Sequence, residues 1–147
     1  MKASKFLALF AITCLGFSCN NKMCCTDINV HVDLKINNSQ GQNLLATPAT
    51  FDKKNIEVFY VVDGKPERYD RPNLDASGAF ILFDDLSGIR VFLNHNKDEK
   101  RPVTLIKFGN TKTDTISAEF TRNGSSTQLK KVWLNGVLKE RSFMIIK

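Results

Sequence analysis

The stretch Ile28-Asn29-Val30-His31-Val32-Asp33-Leu34-Lys35-Ile36-Asn37 decides the fold class. Apolar and polar residues alternate at every position. Five apolar side chains therefore fall on one face of an extended chain and five polar ones on the other. This is the pattern of a strand with one face in a core and one in water.

Working outward, Asn38-Ser39-Gln40-Gly41 reads as a turn, and Leu44–Phe51, with Thr47-Pro48, as an irregular connection. Ile56–Val62 is rich in β-branched and aromatic residues and predicts a second strand. Asp63-Gly64 follows it as a two-residue hairpin signal. The hairpin partner is expected near Glu67–Asp70, with Pro66 keeping it at a sheet edge. Arg71–Gly78 reads as loop. Further strands are predicted at Ala79–Phe83, Ile89–Leu93, Val103–Phe108 and Thr115–Thr121. Asn123-Gly124 signals a hairpin before Gln128–Leu134, and Asn135-Gly136 another before Val137–Lys139 and Ser142–Ile146.

No window carries a sustained 3.6-residue period with caps. Many short strands with turn signals every ~8–12 residues imply an all-β fold. The expectation is an antiparallel, immunoglobulin-like β-sandwich over residues 28–147, with a small β-barrel as the alternative. There is no Cys…Trp…Cys core signature, so the immunoglobulin likeness rests on strand count and length.

The chain has 147 residues, with 42% apolar and 24% charged. That is ordinary for one soluble domain able to bury roughly two thirds of its unfolded surface. The net charge of +6 is uneven. Residues 97–147 hold 11 Lys and Arg against 5 Asp and Glu, whereas residues 20–96 hold 8 against 10. A basic half can attract anionic lipids, acidic glycans or nucleic acid, or simply clothe the wet faces of strands.

The first residues supply an address. Met1–Lys5 carries two lysines and no acid, and Phe6–Phe17 is apolar apart from Thr13. A charged start, a 12-residue apolar run and small residues at the exit make a secretory signal over 1–18. A 12-residue helix spans about 18 Å, short of the ~30 Å hydrocarbon core. Nucleic acid is disfavoured as a partner by this export signal.

At Leu15-Gly16-Phe17-Ser18-Cys19 the sequence resembles bacterial lipoproteins, whose signal ends in a lipobox closed by Cys. Ser18 fits that pattern. Leu15 sits one place early and Phe17 is bulky, as in the looser lipoboxes of Bacteroidota. The resemblance implies cleavage before Cys19, a diacylglycerol on its thiol and an acyl chain on its new amino group. One acyl chain binds a bilayer marginally, whereas two or three hold it stably at ~0.8 kcal/mol per buried methylene. Asn20, where an Asp would mark inner-membrane retention, implies the outer membrane. Residues 19–27 would be a lipid-anchored tether. Gly16-Phe17-Ser18 also fits ordinary signal cleavage, which would release the chain without lipid.

Of four cysteines, Cys14 lies in the signal and Cys19 at the anchor, leaving the adjacent pair Cys24 and Cys25. No second Cys pair or His cluster accompanies them, so no zinc site is expected. They are open to three readings: free thiols, a strained vicinal disulfide, or bridges to another chain.

The rest of the chain is similar to a set of short, uncharacterised lipoproteins of Bacteroidota. The likeness lies in Asn38-Ser39-Gln40-Gly41-Gln42-Asn43-Leu44-Leu45, Thr113-Asp114-Thr115-Ile116 and Val132-Trp133-Leu134-Asn135-Gly136. It implies class and location and carries no activity. Asp114-Thr115-Ile116 also resembles the Asp-Ser/Thr-apolar O-glycosylation site of Bacteroidota, which would place a glycan on Thr115.

Chemistry is sparse. His31 and His95 have no nucleophile motif beside them. The carboxylate pairs Asp84-Asp85 and Asp98-Glu99 are chain neighbours in loops, not groups facing each other across a cleft. No phosphate, dinucleotide or calcium loop occurs. No enzyme activity, cofactor or metal is expected. Trp133, the one tryptophan, suits the core of a small β domain; exposed, it could stack on a sugar or a protein. Tyr60 and Phe59 are further binding candidates, with Tyr69 and Phe92 behind them. Ile56–Val62 and Ala79–Phe83 are apolar on both faces, so either loops 44–51 and 71–78 cover the outer side or a patch is left for a partner. The expected role is a non-enzymatic interaction module held on a lipid bilayer, with a protein or glycan partner. The alternatives are an accessory subunit of an outer-membrane complex and a secreted, unlipidated protein.

Overall fold

The computed structural model describes residues 26–147. Two sheets face each other across one core. The larger sheet runs β4 (Lys65–Arg68), β3 (Ile56–Val62), β7 (Val103–Phe108), β8 (Asp114–Asn123), β9 (Ser126–Leu134) and β1 (Ile28–Asn29), with β10 (Val137–Lys139) also paired to β9. The smaller runs β5 (Phe80–Leu82), β6 (Ile89–Phe92), β2 (His31–Asn37) and β11 (Ser142–Ile146). Neither sheet closes on itself, so the barrel alternative is corrected to an open two-layer sandwich.

The order β2-β6-β5 against β4-β3-β7-β8 is the B-E-D against C′-C-F-G arrangement of an immunoglobulin-like Greek key. The hairpin of β9 and β10 extends the larger sheet. β11 takes the edge beside β2 that a first strand takes in immunoglobulin domains. Pairing is antiparallel except at β1–β9 and β11–β2, which are parallel. The sandwich is antiparallel as expected apart from these two edge pairings.

The opening alternation is one extended run serving both sheets. Val30, at the crossing, accepts at its carbonyl from Leu93 N (2.8 Å) while Ile28 and Asn29 pair with β9. Val32, Leu34 and Ile36 are 0–1% exposed, and burying each contributes ~1.5–3 kcal/mol. Ile28 is 56% exposed, against the expected inward face, because it lies on the outermost rim of the larger sheet.

The turn chemistry follows the residue types. Asp63-Gly64 and Asn135-Gly136 both have positive φ at each position (50° and 76°; 49° and 85°), the geometry of a two-residue I′ turn. β4 therefore starts at Lys65 and ends at Arg68, earlier than the expected 67–70, with Pro66 on the outer edge. Asp52 accepts from the N–H groups of Lys54 (2.8 Å) and Asn55 (3.1 Å), capping a single 3-10 turn, Lys53–Asn55. Leu45 and Phe51 turn inward, and Phe51 packs on Phe108 at 5.7 Å between centroids.

β8 and β9 hold a register shift between Glu119 and Phe120, where Lys131 pairs with Glu119 and Leu129 with Phe120. Lys130 is the extra residue. A bulge bends the strand and resets its in–out alternation. Leu129 and Val132 consequently both point to the core, and Lys130 and Lys131 are both exposed.

Candidate docking face

The outer face of the larger sheet gathers apolar side chains outside the core. On β7, Thr104, Ile106 and Phe108 are buried, so Val103, Leu105 and Lys107 point out. Two neighbouring rows cross the strands. One runs Arg68–Phe59–Leu105–Thr115 and the other Val103–Ser117–Trp133–Leu138. Phe59, Val61, Val103, Leu105 and Trp133 are all half-buried. The loops expected to cover this face do other work. Leu45 and Phe51 enter the core, and residues 71–78, closed by Arg71 N to Ser77 O (2.8 Å), lie beside Tyr69 and Phe80 at the β4–β5 side.

Asn94, 5% exposed, fixes the middle of the face from beneath. Its amide donates to the carbonyls of Val61 (2.9 Å) and Val103 (3.3 Å), and its N–H to Thr104 Oγ1 (2.8 Å). A buried polar group stays only where it is paired, and here pairing locks β3 against β7.

The rim is charged. Glu57 meets Arg68 at 3.2 Å and Lys107 at 4.0 Å. Glu119 accepts from Arg101 at 3.1 Å, a bond that holds the Glu119 carboxyl below its usual range. Arg101 in turn lies 3.8 Å over the Trp133 ring. Trp133 is thus an outward, cation-capped side chain, not a core one.

The sequence candidates do not form one site. Phe59 and Trp133 share the outer face but stand three strands apart, ~14 Å at the usual strand spacing. Tyr60 points the other way. Its hydroxyl donates to Phe92 O (3.0 Å), its ring lies 4.9 Å from that of Tyr69, and burial pushes its pKa up. Thr115 lies on the outer face, its N–H donating to Asn135 Oδ1 (2.9 Å) and its carbonyl accepting from Asn135 N (2.8 Å). Cys19, the expected lipid site, lies outside the described residues, as do the signal, Cys14, Cys24 and Cys25.

The remaining titratable groups are spread out. His31 stands on the opposite outer face, edge-on to Phe92 at 6.2 Å. Burial, then the charge of Arg90, pulls its pKa down. Arg90 grips Asp33 with two bonds (2.8 and 3.0 Å), which lower the Asp33 pKa. His95 sits in the 94–102 loop, a ring nitrogen 3.2 Å from Leu93 O. Asp85 accepts from Ser87 N (2.9 Å) and Glu99 from Asn96 (3.2 Å), so these carboxylates brace their own loops. Among the described residues no group of three or more His, Cys, Asp or Glu is placed to hold a metal, and no helix is long and apolar enough to cross a membrane.

Sequence reasoning missed two pairs. Arg101, which no sequence motif singles out, caps Trp133. Lys147 Nζ reaches Asp114 Oδ2 at 2.6 Å with both side chains almost buried (6% and 10% exposed). No sequence signal links residues 33 positions apart in this way. Comparison with protein-family models, curated proteins and solved structures gives no match for the chain.

Proposed function

We propose that the chain is the folded domain of a lipid-anchored envelope lipoprotein, a non-enzymatic module that docks a protein partner through the outer face of its larger sheet. The observation that carries this reading is the pair of outward rows built on Phe59, Leu105, Val103 and Trp133. Half-buried aromatic and aliphatic residues ringed by Arg and Glu have the composition of a protein interface core and rim. The signal and Cys19 supply the anchor and the location.

A protein fits better than a glycan. Arg101 already occupies one face of the Trp133 ring, the surface a sugar would stack on. Position-specific photo-crosslinking in cells tests the reading. A reactive residue at Leu105 or at Ser117 should yield the same protein adduct, and one at Ile81, on the other sheet, should not. Leu105→Glu should abolish the Ser117 adduct without lowering the melting temperature. Equal adducts from all three positions, or none, would refute it. A glycan-array hit lost in Trp133→Ala would replace the protein with a sugar.

A further inference from the structure

We propose that the side wall formed by β1, β9, β10 and β11 rests on the bilayer and binds anionic phospholipid head groups. This rests on the lipid-anchor reading above and adds an orientation to it.

Two short links close this side of the sandwich. Val30 carries the chain from β1 to β2, and Glu140-Arg141 carries it from β10 to β11. Arg141 stitches the links together, donating to Asn29 Oδ1 (3.0 Å) and Leu129 O (3.3 Å), while its carbonyl accepts from Asp33 N (3.0 Å). Exposed apolar side chains are concentrated here. Of the seven large exposed hydrophobics among the described residues, five are on the strands that meet at this edge: Ile28, Val137 and Leu138 in the larger sheet, and Met144 and Ile146, which face outward from the smaller sheet in register with Lys35 and Asn37.

Cations are interleaved with them. The bulge in β9 brings Lys130 and Lys131 to the surface together. With Leu138, Lys139, Glu140 and Phe143 they line an open notch of about 500 Å³. Lys130, Lys131, Lys139 and Arg141 outweigh Glu140 and Asp27, and Asp27 already accepts from Gln128 (2.8 Å). Lysines flanking exposed Leu, Ile and Val suit a bilayer interface, where phosphates meet the cations and the apolar tips enter the acyl boundary.

The tether points to the same occupant. Asp27 is tied to the wall through its carbonyl, which accepts from Thr127 N (2.8 Å). Seven residues lie between it and Cys19, eight chain steps that span at most ~29 Å when fully extended. A lipid on Cys19 therefore keeps the edge that carries Asp27 within ~29 Å of the membrane. With the wall down, the outer face of the larger sheet stands upright and faces neighbours in the membrane plane.

Lysine acetylation footprinting of the processed native protein tests the inference without substitutions. The protein is compared in detergent, in phosphatidylcholine vesicles, and in vesicles also containing phosphatidylglycerol. Labelling of Lys130, Lys131 and Lys139 should fall several-fold in the anionic vesicles and recover in high salt. Lys53, Lys54 and Lys65, at the far side, should label equally throughout. Lys130→Glu/Lys131→Glu, with unchanged melting, should restore Lys139 labelling. Protein that floats with vesicles yet labels as in detergent would overturn the wall while leaving the anchor standing. Protein that does not float would overturn the anchor and the wall with it. Protection already present in detergent, with crosslinked dimers, would assign the wall to a second copy of this chain.

Discussion

Lys147→Met is the sharpest test of how the two sheets are held together. Lys147 follows β11 in the smaller sheet, and Asp114 opens β8 in the larger. The Lys147 ammonium meets the Asp114 carboxylate and the Lys112 carbonyl, both at 2.6 Å, and lies 5.6 Å from the Phe108 ring. Asn135 supplies the other Asp114 oxygen with a donor at 2.9 Å. Met preserves the length of the side chain and removes its charge. The carboxylate would then keep the Asn135 amide alone in a nearly dry site. Breaking a buried pair from one side costs about 3–5 kcal/mol. For a domain of this size each kcal/mol lowers the melting temperature by ~3–5 °C, so a drop of ~10–20 °C is expected. Asp114→Asn should fall in the same range. The double variant leaves no stranded charge and should lose at least ~2 kcal/mol less than the sum of the singles. Urea unfolding followed by Trp133 fluorescence measures all four proteins. A single-variant loss below ~1 kcal/mol, or strict additivity, would refute the argument.

A Cβ on Gly88 would meet the Leu34 carbonyl at 2.5 Å, so Gly88→Ala should destabilise by about 1–3 kcal/mol in the same assay, whereas the open Gly64 turn has no such contact. Acid should weaken the fold in two stages. His31 has a folded pKa below its usual value, so the unfolded chain takes up the proton first and stability falls as pH drops below ~6.5. Asp33, held low by Arg90, contributes stability above the ordinary carboxylate range that is lost as pH falls through its folded pKa. Melting curves against pH should show both limbs. Asp33→Asn should remove the lower limb and steepen the upper, because Asp33 itself raises the His31 pKa. Arg101→Ala should uncover Trp133, red-shifting its emission and costing ~0.5–1 kcal/mol, and an unchanged spectrum would contradict the stacked geometry.

Periodicity made much of this legible. The alternation of 30–36 marks which residues share a face, and Asp63-Gly64 and Asn135-Gly136 fix two hairpins locally. What stayed hidden was long-range. The parallel pairing of β11 with β2 joins segments more than a hundred residues apart, and no local pattern encodes that partner. Trp133 illustrates a second limit. Leu129, Val132, Trp133 and Leu134 admit either face. The bulge at Lys130 resets the phase and turns Trp133 outward, and a bulge depends on the neighbouring strand. Arg101 and Lys147 found buried or aromatic partners only through the fold. Of the binding candidates, the sequence picked out Phe59 and Trp133 by type but could not separate them from Tyr60, which the strand's alternation sends to the opposite side.

The lipid anchor is the claim on which the location of the docking face and the resting wall both depend. Intact mass and membrane fractionation of the native protein, beside Cys19→Ser, measure it directly. The expected result is a membrane-bound chain that begins at Cys19 and carries the added mass of a diacylglycerol and an acyl group, with Cys19→Ser keeping its leader. A released chain, or one beginning at Cys19 with an unmodified thiol, would contradict it.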